Sequence, residues 1–560
     1  MARIRQLGFG GENRALHPKA LAETVGTVSR NQKPGRGDLR PWRVPLAVAS
    51  VPAGRKTIYR MGRDVASDSS YWLSWTTRVH AVRGFDAEDT TERTYFTGDG
   101  APKVTDNILA LAGAPYPTAT RPLGLPAPAT ALIASVNSGT WEGLDNSYYY
   151  VYTYVNDWGW ESAPSPVSVE VVRPTDATVS LTGFAAVPAG NFGINRIRIY
   201  RTQTGSTGGT EFFFLREIAV GTASTSDDNR DLGEVLPTAT WAAPPADLSR
   251  LTALWNGMLA GISGNAVRLC EPYTPYAWPS GYDLVPPDGK PVAIGHFGQN
   301  VLVLTTGRPL LAAGSSPEAM DQAPLELPQG CVSADSTVSM GAGVAWASED
   351  GLCWYGSNGP KILTAGVMTR EDWQALRPST IVGQMYEGLY LGSYDDGTGR
   401  KGFMIDPMNP TGIFFLDTGY EAMHFDELQD QLYVLDGTSI KRWDAGATFM
   451  TAKFRSKVYQ APSAVSFNSA EVVADTYPVT LRVDAMGLKA QDVTAILAVQ
   501  GGLLTAPTAT SLRYTATVTS RDGFRLPDGF TAPDWQIEIE SATPVQEASI
   551  ATSMKELAQS

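Results

Sequence analysis

Five short β-type strings recur at a nearly constant interval, and that interval restricts the fold more than anything else in the chain. They are MLAGI at Met258, VLVLT at Val301, VAWAS at Val344, LYLGS at Leu389 and LYVLD at Leu432, spaced 43, 43, 45 and 43 residues apart. Each is followed by a tight polar turn and a second strand-like string: AVRLC from Ala266, RPLLA from Arg308, GLCWY from Gly351, GFMID from Gly402 and SIKRW from Ser439. The turns contain Ser263-Gly264-Asn265, Thr306-Gly307, Glu349-Asp350-Gly351, Asp395-Asp396-Gly397 and Asp436-Gly437. Such Gly-Asn and Asp-Gly pairs favour the positive φ that two-residue hairpins need. A period of about 43 residues around a central hairpin is the size of one four-stranded propeller blade. A long β-sandwich with evenly spaced hairpins is the competing reading, and it offers no cause for four near-equal intervals. The lone Trp443-Asp444 pair has no counterpart in the other repeats, so the period carries no WD40 signature.

Composition supports a mostly-β chain. Gly 55 and Pro 38 punctuate helices, aromatics reach 10%, and charged residues are only 18% against roughly 25% in ordinary domains. At 560 residues two to four cores are expected. No apolar run approaches the length of a membrane-spanning helix, and the basic N-terminus lacks the apolar core of a signal peptide. Three cysteines, Cys270, Cys331 and Cys353, cannot staple such a chain, so folding in a reducing cytosol is expected.

The organisation expected from the sequence has five parts. Residues 1–44 form a basic N-terminal segment, and residues 45–125 a β-rich segment that supplies another blade or part of one. Residues 126–245 follow a proline-rich linker. Their strand-like strings SYYYVYTYVND, VSVEVV, NRIRIYRT and FFFLREI, with a Gly/Ser/Thr turn over residues 205–209, fit a fibronectin- or immunoglobulin-like sandwich. Residues 246–446 hold the repeats, and residues 447–560 a C-terminal β-rich domain whose last stretch, PVQEASIATSMKEL, reads as a short helix or a fraying end.

Charge is distributed unevenly. The net charge is −13, yet residues 1–64 carry 13 Lys and Arg against 4 Asp and Glu. The whole is too acidic for a general nucleic-acid binder. The basic segment reads as a docking arm, with Arg3, Arg5, Arg14, Lys19, Arg36, Arg40 and Arg43 as the candidate partner-interface residues. Contact with protein is preferred there over contact with DNA.

No catalytic pattern emerges. His17, His80, His296 and His424 are scattered, no CxxC or HExxH occurs, and there is no P-loop or nucleophile elbow. Ser348 to Trp354 is a partial, single Asp-box-like turn. Asp395/Asp396 and Asp426/Glu427 are the nearest carboxylate pairs for glycoside cleavage, but both lie in predicted turns, where acidic residues are chosen for geometry. The acidic loops at Thr225–Asp231 and Tyr394–Gly399 lack calcium-site spacing. The tyrosines from Tyr148 to Tyr154, with Trp158 and Trp160, read as sandwich core more than as a stacking platform. No enzyme, metal or cofactor is expected.

Four groups of strings resemble one family. TYVNDWGWESAPSPVS with INRIRIYRTQTG, the opening FGGENRALHP, ERTYFTGDGAPKVTD from Glu92, and FRLPDGFTAPDWQIEIES near the end are similar to the tail-tube nozzle proteins of short-tailed bacteriophages. The resemblance implies a structural virion tail protein assembled in the host cytoplasm. It implies a homohexameric ring below a phage adaptor (the head-to-tail connector), neighbouring tail fibres or spikes, and a propeller-lined channel through which phage DNA passes during genome ejection. Six copies at −13 would carry −78, a field that keeps phosphates from sticking. Two alternatives stay open: a carbohydrate-binding or glycosidase propeller on a virion or cell surface, and a fibre-attachment hub without DNA passage.

Overall fold

Strands that read as unbroken apolar runs need cover on both faces, and the chain supplies it by stacking small sheets. The computed structural model describes residues 3–62, 67–86, 88–137, 145–174, 177–204, 210–228 and 230–558; the expected turn over 205–209 lies outside them. The chain is mostly β and divides into two compact units. Unit 1 comprises Met1–Ile58, Ser67–Ser69 and Glu326–Ser560, and unit 2 comprises Tyr59–Ala66 and Ser70–Leu325.

Each recurrent string falls on the second strand of an antiparallel four-stranded set. In unit 2 these are Ser249–Ala253, Leu259–Ser263, Ala266–Leu269 and Asp283–Leu284 (repeat 1), then Pro291–Phe297, Asn300–Thr305, Leu310–Ala313 and Asp321–Pro324 (repeat 2). In unit 1 they are Val338–Ser339, Gly343–Ala347, Leu352–Gly356 and Gly359–Ile362 (repeat 3), then Val382–Tyr386, Leu389–Asp395, Arg400–Ile405 and Phe414–Leu416 (repeat 4). Repeat 5 has Met423–Asp426, Gln431–Asp436 and Ser439–Arg442, and its fourth strand is Leu46–Ser50 from the N-terminal region. All five predicted hairpins are present in register, Ser263 opposite Ala266 and Asp436 opposite Ser439 for example. A further tight turn precedes each string. Asn256-Gly257 and Glu387-Gly388 take positive φ at both positions, which lets the first and second strands meet with almost no loop.

The sheets stack face to face. In repeat 4, Tyr390, Phe403, Ile405 and Phe415 meet Ala345, Leu352 and Trp354 of repeat 3. The opposite face, with Leu391, Met404, Phe414 and Leu416, meets Leu432 and Val434 of repeat 5. Repeats 1 and 2 share a core of Met258, Ile262, Val267, Ile294, Val301 and Val303. A sixth four-stranded sheet, His80–Arg83, Thr94–Thr97, Lys103–Thr105 and Arg121–Pro122, covers the other face of repeat 1 through Tyr95 and Val104. Segment 45–125 thus contributes to two different sheets. Second strands are buried almost throughout, whereas first strands such as Val382–Tyr386 and Met423–Asp426 are half-exposed.

Residues 126–245 contain two three-stranded antiparallel sheets around one core. The first is Ile133–Val136, Val179–Thr182 and Ser224–Asp227; the second is Tyr150–Asn156, Ile194–Thr204 and Thr210–Ala219. Tyr150, Tyr152 and Tyr154 are fully buried in that core. The free edge of Tyr150–Asn156 is sealed by an irregular strap. Ser162, Ser165 and Ser168, three residues apart, each accept from and donate to the backbone of Tyr154, Tyr152 and Tyr150 in turn. The amide-to-hydroxyl bonds are 2.9, 3.1 and 3.0 Å. Pro164 and Pro166 fall between the serines, where a missing N–H costs nothing.

The C-terminal region adds a sheet of Val479–Met486, Ser511–Val518 and Ala532–Ser541, flanked by the helix Ala490–Gln500. The final stretch differs from its helical or frayed expectation. Val545–Ala551 is a strand lying between Ser469–Ala474 and the N-terminal strand Arg3–Gln6, and only Met554–Leu557 is helical. Among the described residues, no helix is long and apolar enough to cross a membrane.

The strap yields a direct expectation. Replacing Ser165 by Ala leaves the buried Tyr152 amide without its hydroxyl acceptor, so Ser165→Ala is expected to lower stability by about 1–3 kcal/mol in chemical denaturation. An equivalent change at the exposed Ser135 should cost less than about 0.5 kcal/mol.

Candidate functional site

The basic N-terminal segment is built into unit 1 and is not a separate arm. Strand Arg3–Gln6 pairs with Val545–Ala551, and strand Val28–Arg30 runs between Phe414–Leu416 and Ala452–Arg455. Ile4, Phe9, Leu39 and Trp42 are core residues. Carboxylates, some distant in sequence and some only two residues away, pair with the cations that made the segment look solvated. Arg5 grips Glu547 with two bonds of 2.8 Å, and Arg3 adds a third at 3.0 Å. Lys19 lies 2.8 Å from Asp534, Arg40 3.1 Å from Asp38, and Arg14 2.5 Å from Glu12. Arg43 donates to the carbonyls of Gly446 and Ala447 and rests 4.6 Å over the Phe449 ring.

Of the seven predicted contact residues, only Arg36 has no ion pair or side-chain hydrogen bond among the described residues. It is exposed between Gly35 and Gly37, on the loop joining strands Gln32–Lys33 and Arg40–Pro41. The structure gathers Arg3 and Arg5 on one carboxylate and gives the others separate partners. Deleting residues 2–43 would strip core as well as charge, so loss of docking by such a truncation would not isolate a contact.

The acidic pairs do the work of turns. Asp396 accepts from the amides of Thr398 and Gly399 and from the Thr398 hydroxyl, and these bonds hold its carboxyl below the usual range. Asp395 accepts from the Gly397 amide and Asp426 from the Leu428 amide. In the Asp-box-like turn, Ser348 bonds Gly351 through both amide and hydroxyl. The cysteines are buried, and burial pushes the Cys270 and Cys353 thiols up to about 12, so neither is a nucleophile near neutral pH. Trp160 is also buried; its ring stacks on Tyr276 at 4.7 Å. Among the described residues, no three His, Cys, Asp or Glu side chains converge as a metal-ligand set.

Two residues that sequence reasoning did not single out complete the polar arrangement around the N-terminal segment. Glu12 accepts from Arg30 Nη1 at 2.6 Å, on the oxygen opposite the one Arg14 uses. Nothing in their spacing marks them, because the groups they meet are contributed by separate strands.

No protein-family model matches the chain, and no curated protein matches it. Among solved structures it is similar to the AfRom2 CNH domain, at 8% identity over 49% of this chain and 90% of that one, with a TM-score of 0.24. It is similar to PorZ, a surface component of the type-IX secretion system of Porphyromonas gingivalis, at 11% identity over 87% and 77%, TM-score 0.24. It is also similar to an exo-beta-1,3-galactanase from Phanerochaete chrysosporium at 8% identity over 90% and 99%, TM-score 0.18. Likeness at this level decides no question of chemistry.

The Arg5–Glu547 contact makes stability depend on pH. The Arg5 hydrogen bonds hold the Glu547 carboxyl below its unfolded value of about 4.3, so the contribution is complete above that pH and disappears as pH falls through the lower folded value. Glu547→Gln is expected to be about 1 kcal/mol less stable than the parent at pH 7, with the gap closing below about pH 4. Urea titrations at stepped pH measure it. Arg36→Ala, lacking any internal partner to lose, should leave the melting temperature within about 1 °C.

Proposed function

We propose that this chain is a structural protein of a short-tailed phage tail, a nozzle subunit whose sheets are the blades of a propeller, with the propellers of the ring's copies surrounding an axial channel. Six copies form the ring, the adaptor holds it from above, and phage DNA passes through during ejection. The observation that carries the reading is the stacking of four-stranded sheets at a 43-residue period, with first strands half-exposed and second strands buried on both faces. A water-lined axis with dry walls between blades has that burial pattern. A propeller also needs its last blade completed by a distant strand, and Leu46–Ser50 does this for repeat 5.

The strings that resemble the nozzle family lie at joints of the fold. FGGENRALHP ties the N-terminus to repeats 3 and 4: Glu12 and Ile413 exchange amide bonds, and the Arg14 amide donates to Val367. TYVNDWGWESAPSPVS is the end of the Tyr150–Asn156 strand, from Thr153, with its serine strap, and FRLPDGFTAPDWQIEIES contains the strand Ala532–Ser541. A resemblance placed at such joints speaks for shared architecture and for a role played by shape. The virion location, the ring order and the partners rest on it.

Electron microscopy of the purified full chain, alone and with adaptor-bearing tail-less particles, tests the proposal. A six-fold ring with an open axial channel, seated on the particle vertex, is the expected image. Monomers that neither close into a ring nor dock would overturn it. Because Arg36 carries charge without holding the fold, Arg36→Ala should weaken docking of the ring while leaving the ring itself intact.

A further inference from the structure

We propose that strand Ile133–Val136 of the sandwich is a docking edge that pairs antiparallel with the same strand of a second copy of this chain. The strand lies at the end of its three-stranded sheet, and Val179–Thr182 is its one strand partner among the described residues. The Asn137 amide donates to the Thr178 carbonyl at 2.9 Å, which fixes the alternation along the pair. Ile133 and Ser135 turn their backbone groups toward Val179–Thr182, so Ala134 and Val136 turn their N–H and C=O groups outward. Neither residue makes a bond on that outer side among the described residues.

The other edges of the sandwich are managed. The serine strap closes Tyr150–Asn156. Residues 233–236 close Thr210–Ala219: the Phe214 amide donates to Glu234 and the Leu236 amide to Phe212, both at 2.8 Å. Strand Ser224–Asp227, at the far side of the first sheet, is made of hydroxyl and carboxylate residues. Ile133–Val136 has no proline, charge or bulge, the devices that keep an edge solitary. Its side chains add apolar surface. Ile133 is 61% exposed on the outer face, and Val136, opposite the buried Val179, is 40% exposed. Strand Val171–Pro174 passes beside it and presents the exposed Val172.

Two features name the occupant. The first is charge. Each copy carries −13, so copies repel wherever charge is present, and residues 122–141 contain no Asp, Glu, Lys or Arg. The second is register. Antiparallel pairing centred on Ser135 sets Ala134 of each copy opposite Val136 of the other. Both are hydrogen-bonding positions, so every outward N–H and C=O is satisfied, and the half-exposed Val136 is covered. Such a pairing is self-complementary about a two-fold axis. It is separate from the ring contacts of the nozzle reading and does not rest on them.

Cross-linking of the full chain tests it. The axis makes Ser135 its own opposite number, a non-hydrogen-bonded pair with Cα atoms about 4.5 Å apart, within disulfide reach. The native cysteines are all buried and do not compete. With copper phenanthroline as oxidant, Ser135→Cys is expected to give a covalent dimer on non-reducing gels. Ile133→Cys lies on the same face two residues off the axis, beyond the ~7 Å limit, and should give at least about tenfold less. In sedimentation velocity, Ser135→Lys sets like charges opposite each other and is expected to weaken pairing about tenfold or more, with the melting temperature unchanged. The pairing is overturned if the two cysteine variants cross-link alike, if neither does, or if Ser135→Lys pairs as tightly as the parent. A six-fold ring that forms while Ser135→Cys gives no dimer overturns the pairing and leaves the nozzle reading standing.

Discussion

A β-sheet whose two faces are both apolar cannot exist alone, and nearly everything else in this protein follows from that. The second strand of every repeat is a continuous hydrophobic run, Leu302 and Val303 or Tyr390 and Leu391 pointing to opposite faces, each side chain worth about 1.5–3 kcal/mol once covered. Coverage comes largely from the neighbouring sheet, with connecting segments adding residues such as Trp373 and Trp42. Tyr390 and Phe403 belong to the core shared with repeat 3, while Leu391 and Met404 belong to the one shared with repeat 5. The repeats are thus interdependent by construction, and a single one has no stable solution of its own.

The N-terminal segment is the second device. It does not carry chemistry on a loose extension; it stitches. Glu12 joins strand Val28–Arg30 to the start of the chain through Arg30 and the Ser29 amide, and Asn13 reaches Gly366 with its side chain. Lys33 bridges Glu387 and Asp444 while lying 4.6 Å over the ring of Trp42. Strand Val28–Arg30 makes the sheet of repeat 4 continuous with that of the C-terminal region, so the outer edge of that repeat is not free.

How much of this the sequence discloses depends on how local the cause is. The hairpins are legible because strand, turn and strand lie within about twenty residues, and the turn residues declare their own geometry at Asp436-Gly437 or Gly264-Asn265. The burial of Tyr150, Tyr152 and Tyr154 is legible from the aromatic surface that a sandwich core takes up. The role of the basic segment is not. Arg5 looks solvated until Glu547 is placed beside it, and PVQEASIATSMKEL looks helical or frayed until two flanking strands claim Val545–Ala551. Small residues such as Ala548 and Ser549 have weak preferences, and tertiary pairing decides them. The arginine pair on Glu12 is hidden for the same reason: Arg14 and Arg30 meet over the Phe415 ring only after repeat 4 has formed.

The strand Leu46–Ser50 has a consequence for how the molecule is made. Its partner Ser439–Arg442 follows it off the ribosome almost four hundred residues later. At roughly 5–20 residues per second, that is a wait of about 20–80 seconds. Unit 2, spanned almost wholly by Tyr59–Leu325, is complete well before then and can fold on the nascent chain. Unit 1 cannot. Its strands Arg3–Gln6, Val28–Arg30 and Leu46–Ser50 must wait while a whole unit forms between them and their partners, and they are consumed only when repeats 4 and 5 and the C-terminal strands emerge. Synthesis that stops after Leu325 therefore leaves unit 2 complete while Leu46–Ser50 still lacks its partner.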